Sequence, residues 1–103
     1  MYCREWKTKC PKKFEKGFIE YLHKTGVKET SETLGFKGAQ ILSREIGDKV
    51  EVTLNSYWET LESITAFAGE NINKAKLYPE DEKFELESND YVTHYKVIEN
   101  RWG

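Results

Sequence analysis

A chain of 103 residues has room for one domain, residues 1–103, and its 38% apolar and 33% charged content fits a folded protein with a well-solvated outside. A formal net charge of −2 leaves no electrostatic footprint for nucleic acid. No apolar run approaches the roughly 20 residues of a membrane span, and the first residues lack the apolar stretch of a signal peptide, so a cytoplasmic location without membrane contact is expected.

Residues 2–9 read as a strand, with Tyr2, Arg4, Trp6 and Thr8 on one face and Cys3, Glu5, Lys7 and Lys9 on the other. Lysines 7, 9, 12, 13 and 16 form a basic patch, but Glu5, Glu15 and Glu20 balance it, as on a solvated strand end and helix face. Along an extended strand Cys3 and Cys10 stand about 23 Å apart on opposite faces. A disulfide needs Cα atoms within about 7 Å, so both are expected as reduced thiols. Neither has a second cysteine at metal-ligand spacing, and no metal site is expected.

Pro11 ends the strand and suits the first position of a helix, where its missing N–H costs nothing. Phe14, Phe18, Tyr21 and Leu22 then recur at helical spacing as one apolar stripe, and Gly26 is the expected stop. Residues 28–33 read as a polar connection, with Gly35 and Gly38 marking a bend or bulge at the start of the next strand. Residues 36–46 and 49–57 form a predicted hairpin around Gly47-Asp48. Its second arm alternates, with Val50, Val52, Leu54 and Ser56 on one face and Glu51, Thr53, Asn55 and Tyr57 on the other. After Trp58, Thr60 is a good N-cap for a helix carrying Leu61, Ile64, Phe67 and Ala68 inward, and Gly69 ends it. Residues 72–77 can add a turn or two before Pro79, and residues 91–98 make the last strand.

The predicted order is β-α-β-β-α-β, an α+β, ferredoxin-like pattern with helices on one face of an antiparallel sheet. Tyr91, Tyr95 and Val97 nevertheless oppose Val92 and Ile98 across the last strand, so large residues lie on both faces. A second subunit's sheet would cover the face without helices, and a homodimer is expected.

The segment from Trp58 and Thr60 through Phe67-Ala68-Gly69-Glu70, Ala75 and Tyr78-Pro79-Glu80-Asp81 to Phe84 resembles the small members of the antibiotic biosynthesis monooxygenase (ABM) superfamily. Arg4-Glu5-Trp6, Tyr21-Leu22 with Thr25-Gly26-Val27, Gly35 with Gly38, and His94-Tyr95-Lys96-Val97 extend the resemblance nearly end to end. It implies a dimeric α+β barrel with a ligand cleft between helices and sheet. Characterised relatives include cofactor-independent monooxygenases of aromatic polyketides and haem-degrading enzymes. The haem branch places a catalytic tryptophan and a haem-ligating histidine where this chain has Phe67 and Leu77. Leucine cannot ligate iron, so haem degradation by that arrangement is not expected.

The expectation is therefore a monooxygenase-like protein, needing no cofactor, that acts on a small aromatic or electron-rich molecule. A non-catalytic dimer that binds a small ligand or serves as an accessory protein is the alternative. His94 and Arg4 are the candidate catalytic residues, the histidine as proton carrier and the arginine to steer a developing anion. Trp6, Trp58, Phe67, Asn55 and Arg44 are the candidate substrate-binding residues. Structural roles compete: His94 could bond a neighbouring strand, Trp58 could plug the core, His23 suits a helix C-terminus, and Asp81 suits a cap in its turn.

Overall fold

Residues 1–75, 79–88 and 90–101 are described by the computed structural model. Strand β1 (Tyr2–Pro11) is the hub of the sheet. On one edge it pairs antiparallel with β3 (Lys49–Trp58), from Tyr2 opposite Trp58 to Pro11 opposite Lys49. Beyond β3 lies β2 (Phe36–Ile46), joined to it by the tight Gly47-Asp48 hairpin. The other edge of β1 carries two short strands, β4 (Glu87–Ser88) opposite Thr8 and Lys9, and β5 (Thr93–Lys96) opposite residues 2–5. The sheet order β2-β3-β1 followed by β4 and β5 is the ferredoxin-like arrangement expected from the element order.

Side-chain parity holds as expected. Val50, Val52, Leu54 and Ser56 are buried on the same face as Arg4, Trp6, Thr8 and Cys10, and the helices lie over that face. Helix α1 (Glu15–Leu22) inserts Phe18 and Leu22 between Cys10, Val50, Val52 and Leu54. Phe84 closes the cluster from the short 3₁₀ segment Pro79–Phe84, its ring centroid 5.4 Å from Phe18 and 5.2 Å from Tyr21. A second packing centre forms where β3 meets helix α3 (Leu61–Ala68): Trp58 and Ile64 are fully buried, and Trp58 stacks on Phe67 at 5.6 Å and meets Phe36 edge-on at 5.8 Å. Thr60 caps α3 by accepting from the Ser63 N–H at 3.1 Å, and the helix ends with the Gly69 N–H on Thr65 O. Cys3 and Cys10 are both free and buried. No helix among the described residues is long and apolar enough to cross a membrane.

Three local expectations are corrected. The first helix does not stop at Gly26: a π turn (His23–Val27) carries it into α2 (Lys28–Ser31). Gly26 is there for close approach, since a Cβ would stand 3.0 Å from Leu22 Cδ1 and 3.2 Å from Leu54 Cδ2. The chain turns instead at Gly35, where φ is +94° and a Cβ would collide with the Ser63 side chain. Next, residues 71–75 form a turn rather than a helix, with the Lys74 N–H on Asn71 O and a bridge between Lys74 and Tyr91. Residues 76 and 77 of that expected helix lie outside the described residues. Finally, the last strand is shorter than expected, Thr93–Lys96, and β4 precedes it; a two-residue strand is too short to leave a periodic signal. The bulge expected near Gly38 is present, as a register shift between Phe36 and Gly38.

Candidate functional site

The helix-covered face is not packed solid. A cleft lies between the sheet, the π turn and the end of α3, with Trp6, Leu22, Leu54, Phe67 and Val92 as its apolar lining. Its polar lining consists of Arg4, Thr25, Thr30 and Ser56, and Gly26 completes it. The π turn explains why two residues of one helical stretch reach in together, because the widened turn re-aims Thr25 and Gly26 toward Leu54 and the sheet. The cavity volume is about 40 Å³, room for about three waters or the head group of a small ligand. Ligand pockets for larger molecules run roughly 300–1,000 Å³, so an aromatic ring enters only if Phe67 or Trp6 yields.

Arg4 is the most unusual wall residue. It is 5% exposed and donates from Nη1 to Ile72 O and from Nη2 to Lys74 O (3.1 Å). The two carbonyls belong to the turn after α3, so the guanidinium ties that turn to β1. Its Nη1 also lies 3.2 Å from His94 Nε2, and its Cζ is 6.0 Å from the Phe67 ring centroid. Burial lowers the Arg4 pKa to about 10. Among the described residues no carboxylate pairs with it.

His94 stands opposite Arg4 in the β1–β5 register. Arginine has donors only, so Nε2 must accept and the proton must sit on Nδ1. That Nδ1 is buried with no hydrogen-bond partner among the described residues. Desolvation, then the Arg4 charge, holds the His94 pKa below its ordinary 6.5, so the ring is neutral at neutral pH. The remaining hydroxyls are partly committed: Thr25 Oγ1 donates to Tyr21 O, Thr30 Oγ1 donates to Val27 O, and Ser56 Oγ accepts from Trp58 Nε1, each at 2.9 Å. Trp6 Nε1 is buried without an acceptor among the described residues.

The structure thus brings together Arg4, Trp6 and Phe67 in the cleft wall, with His94 behind Arg4. It does not bring the other three candidates there. Trp58 is completely buried against Phe36, Phe67 and Ser56, the core-plug position. Asn55 pairs with Glu5 and Gln40, and Arg44 pairs with Glu51, all on the opposite face of the sheet. Strand parity is the reason, since Asn55 lies one residue from Leu54 and Ser56, which do line the cleft. Thr25, Thr30 and Gly26 were not anticipated as cleft residues; the π turn carries Thr25 and Gly26 and α2 carries Thr30, and helical periodicity carries no sign of that continuation. Asp81's side chain and Leu77 lie outside what is described.

No protein-family model matches the chain, and no curated protein sequence does. Solved structures do match. A Bacillus cereus protein provisionally described as an antibiotic biosynthesis monooxygenase superposes with a TM-score of 0.63 at 13% identity, over 99% of this chain and 97% of that one. A point mutant of MhuD, crystallised with two manganese protoporphyrin IX molecules per active site, superposes with a TM-score of 0.62 at 15% identity over the full length of both. This chain has the ABM-type fold. At these identities the likeness concerns the fold. A porphyrin in the second structure also invites a fit test. Among the described residues lining the cleft there is no imidazole, thiolate, thioether or phenol to ligate an iron, so the residues present do not fit a protein-ligated haem.

Proposed function

We propose that the protein is an ABM-type, cofactor-independent monooxygenase-like protein that takes a small aromatic or electron-rich molecule in the helix–sheet cleft. The observation that carries this reading is the cleft itself: apolar and aromatic walls around a buried guanidinium that has no carboxylate partner among the described residues. An apolar, water-poor enclosure strengthens any charge interaction made inside it, and Arg4 is aimed to stabilise an anion there. In such a reaction the substrate itself reduces dioxygen. A methylene oxidised to a carbonyl gives up four electrons, and dioxygen leaves one atom in the product and the other in water.

The second reading, a non-catalytic dimer that binds a small ligand, is favoured by the cavity volume of about 40 Å³. Oxygen uptake separates the two. Wild type, Arg4→Gln and His94→Ala are incubated with a panel of small phenols and naphthols, without added flavin, haem or metal. Substrate-dependent uptake that falls in the Arg4 variant supports the enzyme; uptake at the buffer rate across the panel leaves the binding protein. In both readings the protein is a homodimer whose sheets face one another. Leu42 and Tyr95, 48% and 49% exposed on the face without helices, support that arrangement.

A further inference from the structure

The hydroxyls of Thr25, Thr30 and Ser56 are each engaged in a hydrogen bond, and the other polar groups around the cleft with hydrogen-bonding capacity left unmet among the described residues are donors. Arg4 offers donors only, and its Nε and second Nη2 hydrogens have no partner among the described residues. Two positions along the same strand face, the Trp6 indole N–H is buried with no acceptor among the described residues. His94, which holds Arg4 from behind, spends its lone pair on that contact, and its Nδ1–H has no partner among the described residues. No carboxylate, free imidazole, thiolate or amine lines the cavity among the described residues. Described walls with surplus donors and no base suit a ligand that already carries its negative charge.

We propose that the cleft selects a small planar ligand that arrives already ionised, as a carboxylate or an acidic enolate on an aromatic frame, with its oxygens on Arg4 and Trp6. The inference rests on the cleft being the ligand site and does not depend on catalysis. The cavity volume of about 40 Å³ accommodates the oxyanion head, and the ring takes the place that Phe67 partly occupies. Phe67 is suited to this because it stands near the end of α3, just before Gly69, and is only half-buried. Burial has already lowered the Arg4 pKa to about 10, so a paired anion relieves a charge the fold leaves uncompensated. His94 is a positioning residue in this arrangement, acting through Arg4, and substrate ionisation takes place in solvent.

The test uses benzoate and its neutral isostere benzamide on the intact protein without oxygen, followed by nitrogen–proton spectra of the Arg4 Nε and Trp6 Nε1 groups. Saturable shifts of both resonances with benzoate, and binding at least about tenfold weaker for benzamide, are expected. Trp6→Phe keeps the ring packing but removes the N–H, and it should weaken benzoate alone. Arg4→Lys keeps the charge without the fork and should do the same more strongly. Equal affinity for the two probes overturns the proposal, as does benzoate binding that leaves the Arg4 and Trp6 resonances unmoved. Absence of saturable benzoate shifts up to about 10 mM, a ceiling corresponding to roughly −3 kcal/mol, overturns it as well. Oxygen uptake without anion preference would sink this inference and spare the enzyme; anion binding without uptake would do the reverse.

Discussion

The two faces of one sheet differ more than any two elements of this molecule. On the face under the helices, alternate residues of β1 and β3 bury Val50, Val52, Leu54, Cys10 and Trp58, and the Trp6 indole N–H is left without an acceptor among the described residues beside a cavity. On the other face the same strands present paired polar groups: Tyr57 Oη donates to Gln40 Oε1 at 3.0 Å, Tyr95 Oη to Glu5 Oε1 at 3.4 Å, and Arg44 Nε to Glu51 Oε1 at 2.9 Å. These pairs lie beside the exposed Leu42 and a buried Asn55 Oδ1 that has no partner among the described residues. Unpaired polarity inside an apolar wall marks a place for a ligand. Mostly paired polarity around an exposed leucine suits contact with another protein surface. Two residues one step apart on a strand therefore face different surroundings.

Removing Trp58 would test the helix-covered face most severely. Trp58→Ala should cost about 3–5 kcal/mol, because a fully buried ring that touches Phe36 and Phe67 leaves a cavity. Denaturant midpoints measure it, and a cost below that of His94→Ala would place Trp58 in the cleft rather than the core. Gly26→Ala comes next. Its Cβ meets Leu22 and Leu54 at 3.0 and 3.2 Å, an overpacking of about 1–3 kcal/mol, and the π turn and cleft should distort with it. Unchanged stability there would mean that Leu22 and Leu54 have room to move.

The His94 contribution is smaller and depends on pH. Its folded pKa is lowered below the ordinary 6.5, so as pH falls through about 6.5 the unfolded chain takes up the proton first. Stability from this group is complete above that value, declines as pH drops toward the folded pKa, and then levels off. Urea midpoints of wild type should fall more steeply between about pH 7 and 5 than those of His94→Gln. Parallel slopes would show that His94 titrates alike in both states. Smallest in effect on the fold is Leu42→Lys on the open face, expected within about 0.5 kcal/mol for the single chain. Its readout is mass: light scattering should give twice 12.1 kDa for wild type and a shift toward one chain mass for the variant. A wild type that scatters as a monomer removes the paired-sheet arrangement.

Much of this was readable in the linear chain wherever the physics is local. Thr60 caps α3 because its hydroxyl needs to reach only the N–H three residues on, and Gly47-Asp48 turns the hairpin between strands whose alternation already names their faces. Parity assigned Asn55 to the face away from Ser56, which keeps it out of the cleft, whereas only the β1–β5 register sets His94 opposite Arg4. Gly26 misled because a glycine after an apolar stripe reads as a stop, whereas its cause here is Leu54, 28 positions away in the chain. Local periodicity and parity depend on neighbours a few residues apart, so the chain alone determined the two main helices, the three long strands and which side chains share a face within a strand. Which face the helices cover, that the first helix runs on through a π turn beside a cavity, and that Arg4 and Trp6 line it with donors unspent among the described residues depend on contacts between segments up to 90 residues apart, and only the tertiary structure decided them.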